Sequence, residues 1–392
     1  MIKSHVILLT EIDEPDDAVS ELREKLEEIE LLKNTVGILT IYTDAVTSGV
    51  YKAVADAIPF PIAGITTAAQ SSNGTIGMYM FSIMVLTSDD CNFACGQTDV
   101  IPEEVDAIPI IQDTYLSLKK QLDATPKLVL MFPALFNFHF PGEFVSAISE
   151  IDPRTAVFGG VANADRDTVA ERGCYLALCN GDSFIDRVAM VLISGEINPE
   201  FFVVSLTDEA IVMPNVGEIT KCERNLLVSV NDIVADEFFN KIGFIMGDSS
   251  NAGLLSSTFI LNYERNNNDL VSRTPFMVTD TGAVVTGGYL FEGASLSVAV
   301  STPDVVAQTA KTLAEKIKGA NNAKTALLYS CIGRRISLMS DSMKELEVVK
   351  EIVPAEINYT IGYASGEICP MAVTDEKAFN HEHNQTLIAC VF

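Results

Sequence analysis

Cationic residues are scarce in this chain: 26 Lys and Arg stand against 53 Asp and Glu in 392 residues, a formal net charge of −27. Such a surface repels nucleic acid and anionic lipid at long range, which excludes non-specific binding to either. A small anionic ligand needs a local cationic site, and the acidic excess is concentrated in residues 1–200, so the second half is the place to look for one. Histidine is scarcer still, with four in all, at 5, 139, 381 and 383. No Cys-x2-Cys pair and no helical His-x3-His pair is present. Zinc takes three or four protein ligands. "HEH" (His381 to His383) supplies two on one face of a strand and lacks the rest, so no metal and no cofactor is expected.

Other signatures are missing too. There is no Gly-x4-Gly-Lys-Ser/Thr loop, no Gly-x-Gly-x2-Gly after the first strand and no Gly-x-Ser-x-Gly elbow, which sets aside the common nucleotide-binding and hydrolase templates. No apolar run reaches about 18 residues free of charge, and the N-terminal one stops at Thr10 before acidic residues arrive. Neither a membrane-spanning helix nor a signal h-region is expected. Eight cysteines are spread through apolar runs without repeated spacing, which reads as free buried thiols in a reducing compartment, hence the cytoplasm.

What is present is a globular composition, 48% hydrophobic and 20% charged, in a chain long enough for two domains. Strands "HVILLT", "VGILTIY" and "PIAGIT" alternate with helical patterns over 16–32 and 48–58 in a βαβαβ rhythm. "KLVLMF", "AVFGG", "CYLALC" and "VAMVLIS" read as later strands, the last two as antiparallel neighbours. Turn-forming residues over 195–225 suggest a boundary. Beyond it come a meander over Thr274–Thr302 with turns at Gly282, Gly288 and Gly293, a helix over 303–318, and strands "KTALLYSCI", "NYTIGYA" and "QTLIACVF". The expected fold is mixed α/β (α+β), with domains at 1–205 and 206–392. Each combines βαβ crossovers with an antiparallel meander in one mixed sheet flanked by helices. "IAGITTAAQ" (62–70) and "TIGYASGEI" (360–368) echo each other, which records either a duplication or, as the preferred reading, the shared chemistry of a strand-ending turn.

Three stretches carry candidate chemistry. In "SCIGRR" (Ser330 to Arg335), Cys331 beside two guanidinium groups is a candidate thiolate, and Arg334 a candidate holder of a ligand carboxylate. A buried inert cysteine and a solvated arginine are the plainer readings. In "SGEI" (Ser365 to Ile368), Glu367 projects from a strand end, where it can meet a ligand ammonium or close a salt bridge to Arg334 or Arg335. "FGGVANADRD" places Asn163, Asp165 and Asp167 at alternate positions, but without the later Gly and Glu of a calcium loop it reads as a surface turn.

The order "PFPIAGITTAAQ", "FGGVANADRD", "YLFEGASLSVAVSTPD", "SCIGRR", "IGYASGEI" and "HNQTL" resembles the FIST family, with its paired N- and C-terminal domains. The resemblance implies a sensory module of signal transduction that binds small ligands, amino acids among them, with no established reaction. It departs from the family's Gly-Cys-Ser-Thr-x-Gly-Glu pattern at "GITTAAQ", where Ala69 and Gln70 replace the Gly and Glu, which puts an N-terminal-domain site in doubt. No kinase, receiver or cyclase segment is fused to it, so a signalling output would be a separate protein, and a homo-oligomer stays open. The expected site is a strand-end pocket in the C-terminal domain. Arg334 holds a carboxylate and Glu367 an ammonium, with Tyr363, Gly366, His383 and Asn384 in the wall and Cys331 alongside. The alternative is an enzyme using Cys331 as nucleophile, or Glu367 with a nearby imidazole as acid and base.

Overall fold

In the computed structural model, which describes residues 2–136, 139–164, 175–206, 211–244, 257–262 and 270–392, one pattern of helices and strands recurs three times. The first round runs β1 (Lys3–Leu9), helix Pro15–Glu27, β2 (Asn34–Ile41), helices Asp44–Thr47 and Val50–Ala57, β3 (Ile62–Thr66), a hairpin of β4 (Gln70–Ser72) and β5 (Thr75–Gly77), then β6 (Phe81–Ser88). The second runs β7 (Asn92–Gln97), helix Ala107–Lys119, β8 (Leu128–Pro133), helix Pro141–Ile151, β9 (Ala156–Gly160), a hairpin of β10 (Ala177–Cys179) and β11 (Asp182–Phe184), then β12 (Val188–Ser194).

The third opens with β13 (Glu200–Ser205) and is interrupted by an inserted sheet. The insert comprises β14 (Ile211–Glu223), β15 (Leu226–Val230), β16 (Ile233–Val234), helix Ala235–Lys241, β17 (Ser257–Asn262), β18 (Leu270–Arg273), β19 (Pro275–Val278), β20 (Val284–Thr286) and β21 (Ser295–Val300). The round then resumes with helix Pro303–Gly319, β22 (Thr325–Cys331), helices Ile332–Ser337 and Lys344–Ile352, β23 (Asn358–Ala364), a hairpin of β24 (Glu367–Val373) and β25 (Ala378–His383), and β26 (Thr386–Val391).

Each round builds its sheet in the same way. The first strand lies antiparallel to the last, the last antiparallel to the second, and the second parallel to the third. The next partner comes from a different round: β3 takes β10, β9 takes β24, and β23 takes β4. The exchange is cyclic and gives three six-stranded sheets of identical topology, all mixed, as the sequence rhythm predicts for an α/β fold. The inner faces of the three sheets meet in one core through residues such as Ile38, Ile65, Leu130, Phe158, Leu327 and Ile388. Alternate residues point the other way, under each round's own helices. The insert has a core of its own, in which Phe239 stacks on Phe259 at 5.0 Å.

Two expectations are corrected. Strands β10 and β12 are not neighbours: β12 lies between β7 and β8, whereas the left-handed pair Asn180-Gly181 (φ 48° and 90°) turns β10 back on β11 and carries the hairpin to β3. The turn-rich stretch over 195–225 contains strands, because its β-branched and aromatic run "EFFVVS" pairs with β26, and β14 follows. The glycine turns anticipated at 282, 288 and 293 all have positive φ.

The echo between 62–70 and 360–368 marks equivalent places. Gly64 on β3 faces Leu39 and Gly362 on β23 faces Tyr329, while Gly159 on β9 faces Met131 at the third such point. A Cβ at Gly64 or Gly159 would stand 2.1 or 1.8 Å from the facing carbonyl oxygen, so the strand can approach only without a side chain. The echo thus falls at equivalent positions of two rounds, which is what duplication, the reading set second, predicts. Among the described residues, no helix is long and apolar enough to cross a membrane.

Candidate ligand-binding site

A cavity of about 480 Å³ opens where the carboxyl ends of the parallel strands of the second and third rounds meet. Ala134 just past β8, Val161 and Asn163 past β9, Ser365 and Gly366 past β23, and Arg335 in the helix that leaves β22 all line it. Crevices outside the carboxyl ends of parallel strands are where α/β sheets bind ligands, since chains diverge there and leave unoccupied space. The insert closes the remaining side with Asn225, Val285, Thr286 and Gly287. It is tied to the body by the Arg224 to Glu143 ion pair at 3.0 Å and by edge-on contact of Phe140 with Tyr289 at 5.1 Å. The walls are mainly apolar, with Leu135, Phe136, Phe140, Ile332 and Ile336 prominent.

Of the expected site residues, Gly366 lines this cavity and the others stand behind it or to one side. Arg334 is fully buried with its guanidinium turned inward. Its Nε and one terminal nitrogen donate to Glu345 at 2.7 and 2.5 Å, and that nitrogen also donates to Thr309 at 2.9 Å. Ser330 donates to the other Glu345 oxygen at 2.5 Å. A ligand carboxylate at Arg334 would have to displace Glu345 and leave a buried charge unpaired, a cost of about 3–5 kcal/mol. Arg334 is thus corrected from ligand holder to internal tie, and its partner is Glu345, not Glu367. Tyr363 lies over the same network, fully buried beside the Glu345 carboxylate.

Glu367 is fully buried, and one of its oxygens accepts from the Thr386 hydroxyl at 2.7 Å. Burial pushes its carboxyl well above the usual range, against the pull of that bond. Burial, with the Glu367 charge second, also pushes the Cys331 thiol up. A thiol held protonated in this way is a poor nucleophile, which argues against the version of the enzymatic alternative that uses Cys331. His383 faces Glu367 across the β24–β25 pair, but its Nε2 donates to the Cys369 carbonyl at 2.9 Å and burial lowers its pKa to about 4. Asn384 accepts from the Thr274 backbone N–H at 3.3 Å and so helps to strut the insert. The His381 and His383 rings are 6.2 Å apart, and among the described residues no group of three His, Cys, Asp or Glu could hold a metal. Asp165, Asp167 and Cys174 lie outside the described residues. The other seven cysteines are all free.

The charged groups that do line the cavity are each one step along the chain from those expected. Arg335 follows Arg334 in a helix, where successive side chains point about 100° apart, so the inward turn of the first sends the second to the cavity, near the Tyr363 ring at 6.0 Å. Glu382 sits between the two histidines on β25, on the opposite strand face. Burial lifts its carboxyl to about 7, opposed by the Arg273 charge and by the Gly142 N–H, which donates to it at 3.1 Å from the first turn of helix Pro141–Ile151. Asn163 is 3% exposed, which corrects the surface-turn reading of "VANAD" at that residue. Strand alternation through "HEH" and the helix start in "SCIGRR" were the signals available for Glu382 and Arg335. At Asn163 the sequence offered only the alternate spacing in "FGGVANADRD", which read as a surface turn.

Among solved structures, a cyanuric acid hydrolase from A. caulinodans is similar at a TM-score of 0.36 and 9% identity, covering 100% of this chain and 99% of that one. At that level of similarity it bears on neither the ligand nor the chemistry of this protein. No curated protein is matched in sequence. Family models match in tandem, the FIST N domain over residues 35–233 and the FIST C domain over 237–370. The chain therefore belongs to the FIST family, whose domains are sensory modules in signal transduction, and it carries both in the order the motifs led one to expect.

Proposed function

We propose that this cavity binds a small zwitterion of the amino-acid kind, and that the protein is a cytoplasmic sensor whose ligand state is read by a separate signalling protein. The observation that carries the reading is an apolar chamber of about 480 Å³, within the range of small-molecule sites, with a cation and an acid in its wall. Arg335 suits a ligand carboxylate and Glu382 an ammonium, while the aliphatic and aromatic wall suits an apolar side chain. An ammonium beside Glu382 would favour its carboxylate form, which burial otherwise resists near neutral pH. The insert, with its separate core, forms one wall, so an occupant touches both bodies and can bias how they sit together. The free thiols among the described residues suit a reducing compartment.

Isothermal titration of the full chain against the twenty amino acids is the test. At least one should bind, and Arg335→Gln and Glu382→Gln should each weaken it by about tenfold or more, as expected for loss of a charge-assisted hydrogen bond. Absence of heat above background for all twenty rejects the reading.

A further inference from the structure

We infer that Asn163 selects the ligand by donating a hydrogen bond from its side-chain nitrogen to a carbonyl or carboxylate oxygen of the bound molecule. The inference rests on the cavity being the ligand site and adds to it a residue and a required chemical group. Asn163 stands three residues past the end of β9, where the first and second rounds touch, and it lines the cavity. Its backbone N–H donates to the Thr66 carbonyl at 2.8 Å, which fixes the chain. Its side-chain oxygen accepts from the Ala164 N–H at 2.7 Å, which fixes the amide. Exchanging oxygen and nitrogen would set two donors face to face, so the bond to Ala164 decides the orientation. The nitrogen Nδ2 that results is buried and has no partner among the described residues.

Such a donor is costly to leave unmatched, and folded proteins seldom do so without a function for it. Its neighbours in the wall are placed differently. Thr286 donates to the carbonyls of Asn225 and Gly288, and the Asn225 amide donates to the Thr286 carbonyl. His139 lies between the Glu143 carboxylate and the Pro102 carbonyl, at 3.0 and 2.9 Å. Their polar groups serve the protein, whereas the Asn163 nitrogen has no partner among the described residues. A donor group brought to the same place would meet a donor, so the site discriminates by the sign of the hydrogen bond as well as by shape.

Three probes with one apolar body and different heads test this: isovalerate, isovaleramide and isopentylammonium, each titrated to tens of millimolar into the full chain labelled with 15N-asparagine. The Asn163 side-chain signals are identified by their loss in Asn163→Asp, and Asn225, in the part of the wall formed by the insert, reports entry into the cavity. Isovalerate and isovaleramide should shift the Asn163 side-chain signals and isopentylammonium should not. Asn163→Ala should weaken isovalerate by about tenfold or more. Shifts at Asn225 without shifts at Asn163, or equal shifts at Asn163 with the ammonium, overturn the role of Asn163 and leave the cavity reading standing. No shift at either residue with any probe overturns both. The wild-type titration decides the matter even if Asn163→Ala does not fold.

Discussion

Glu382 and His383 are adjacent in the chain and both buried, yet burial moves their pKa values in opposite directions, because it penalises a carboxylate in one and an imidazolium in the other. Glu382 has a folded value of about 7 against 4.5 unfolded, so its contribution is fully present below about 4.5 and is lost as pH rises to 7. His383 has a folded value of about 4 against 6.5 unfolded, so its contribution is lost as pH falls from 6.5 towards 4. Urea unfolding at several pH values should therefore show Glu382→Gln gaining stability on wild type by about 1.4 kcal/mol per pH unit as pH rises through its window. The His383→Gln difference should run the other way through its own. Slopes of the same sign in the two variants would show that burial is not what shifts them. Arg334 and Arg335 make a similar pair, one closed onto Glu345 and one in the cavity wall. Residue types in "SCIGRR" and "HEH" could be read from the sequence. Which neighbour faces inward could not, because it depends on the start of a six-residue helix and on the register of a hairpin contributed to another round's sheet.

At the scale of elements, the longer helices and most of the long strands were legible because their apolar spacing is regular and turn residues bound them, whereas β14, the longest described strand, lay in a stretch read as a boundary. The short hairpins were not. Strands β4, β10 and β11 are three residues each, too short for periodicity to show, and the hairpins to which they belong join strands far away in sequence through β4 and β10. The dipeptides Asn73-Gly74 and Asn180-Gly181, both left-handed, were the one local signal for two of them. The glycine shared by β3, β9 and β23 is the other repeated element feature, and it is testable at Gly159. With 1.8 Å between a new Cβ and the Met131 carbonyl oxygen, Gly159→Ala should cost about 3 kcal/mol or more, or prevent folding. Gly319→Ala, with nothing within 4 Å of the added carbon, should be neutral or gain up to about 1 kcal/mol. Denaturant midpoints of the two variants provide the comparison, and a mild effect at Gly159 would mean that β8 and β9 can part at that point.

For the whole molecule, the cyclic exchange means that no round completes its own sheet. If the chain is divided at 205/206, the anticipated domain boundary, the first fragment loses β24 and β25 from beside β9, and its β4–β5 hairpin has no β23 to join. Neither fragment alone should show a cooperative unfolding transition or a native near-ultraviolet dichroism spectrum, and refolding the two together should restore both. A well-folded first fragment would show that the exchanged hairpins are dispensable. The exchange also imposes a schedule on synthesis. Gln70 leaves the ribosome long before Gly362, with which it pairs. At about 5–20 residues per second, the nascent hairpin waits tens of seconds with its strand edge unpaired, so the third sheet can close only once β23 has been made.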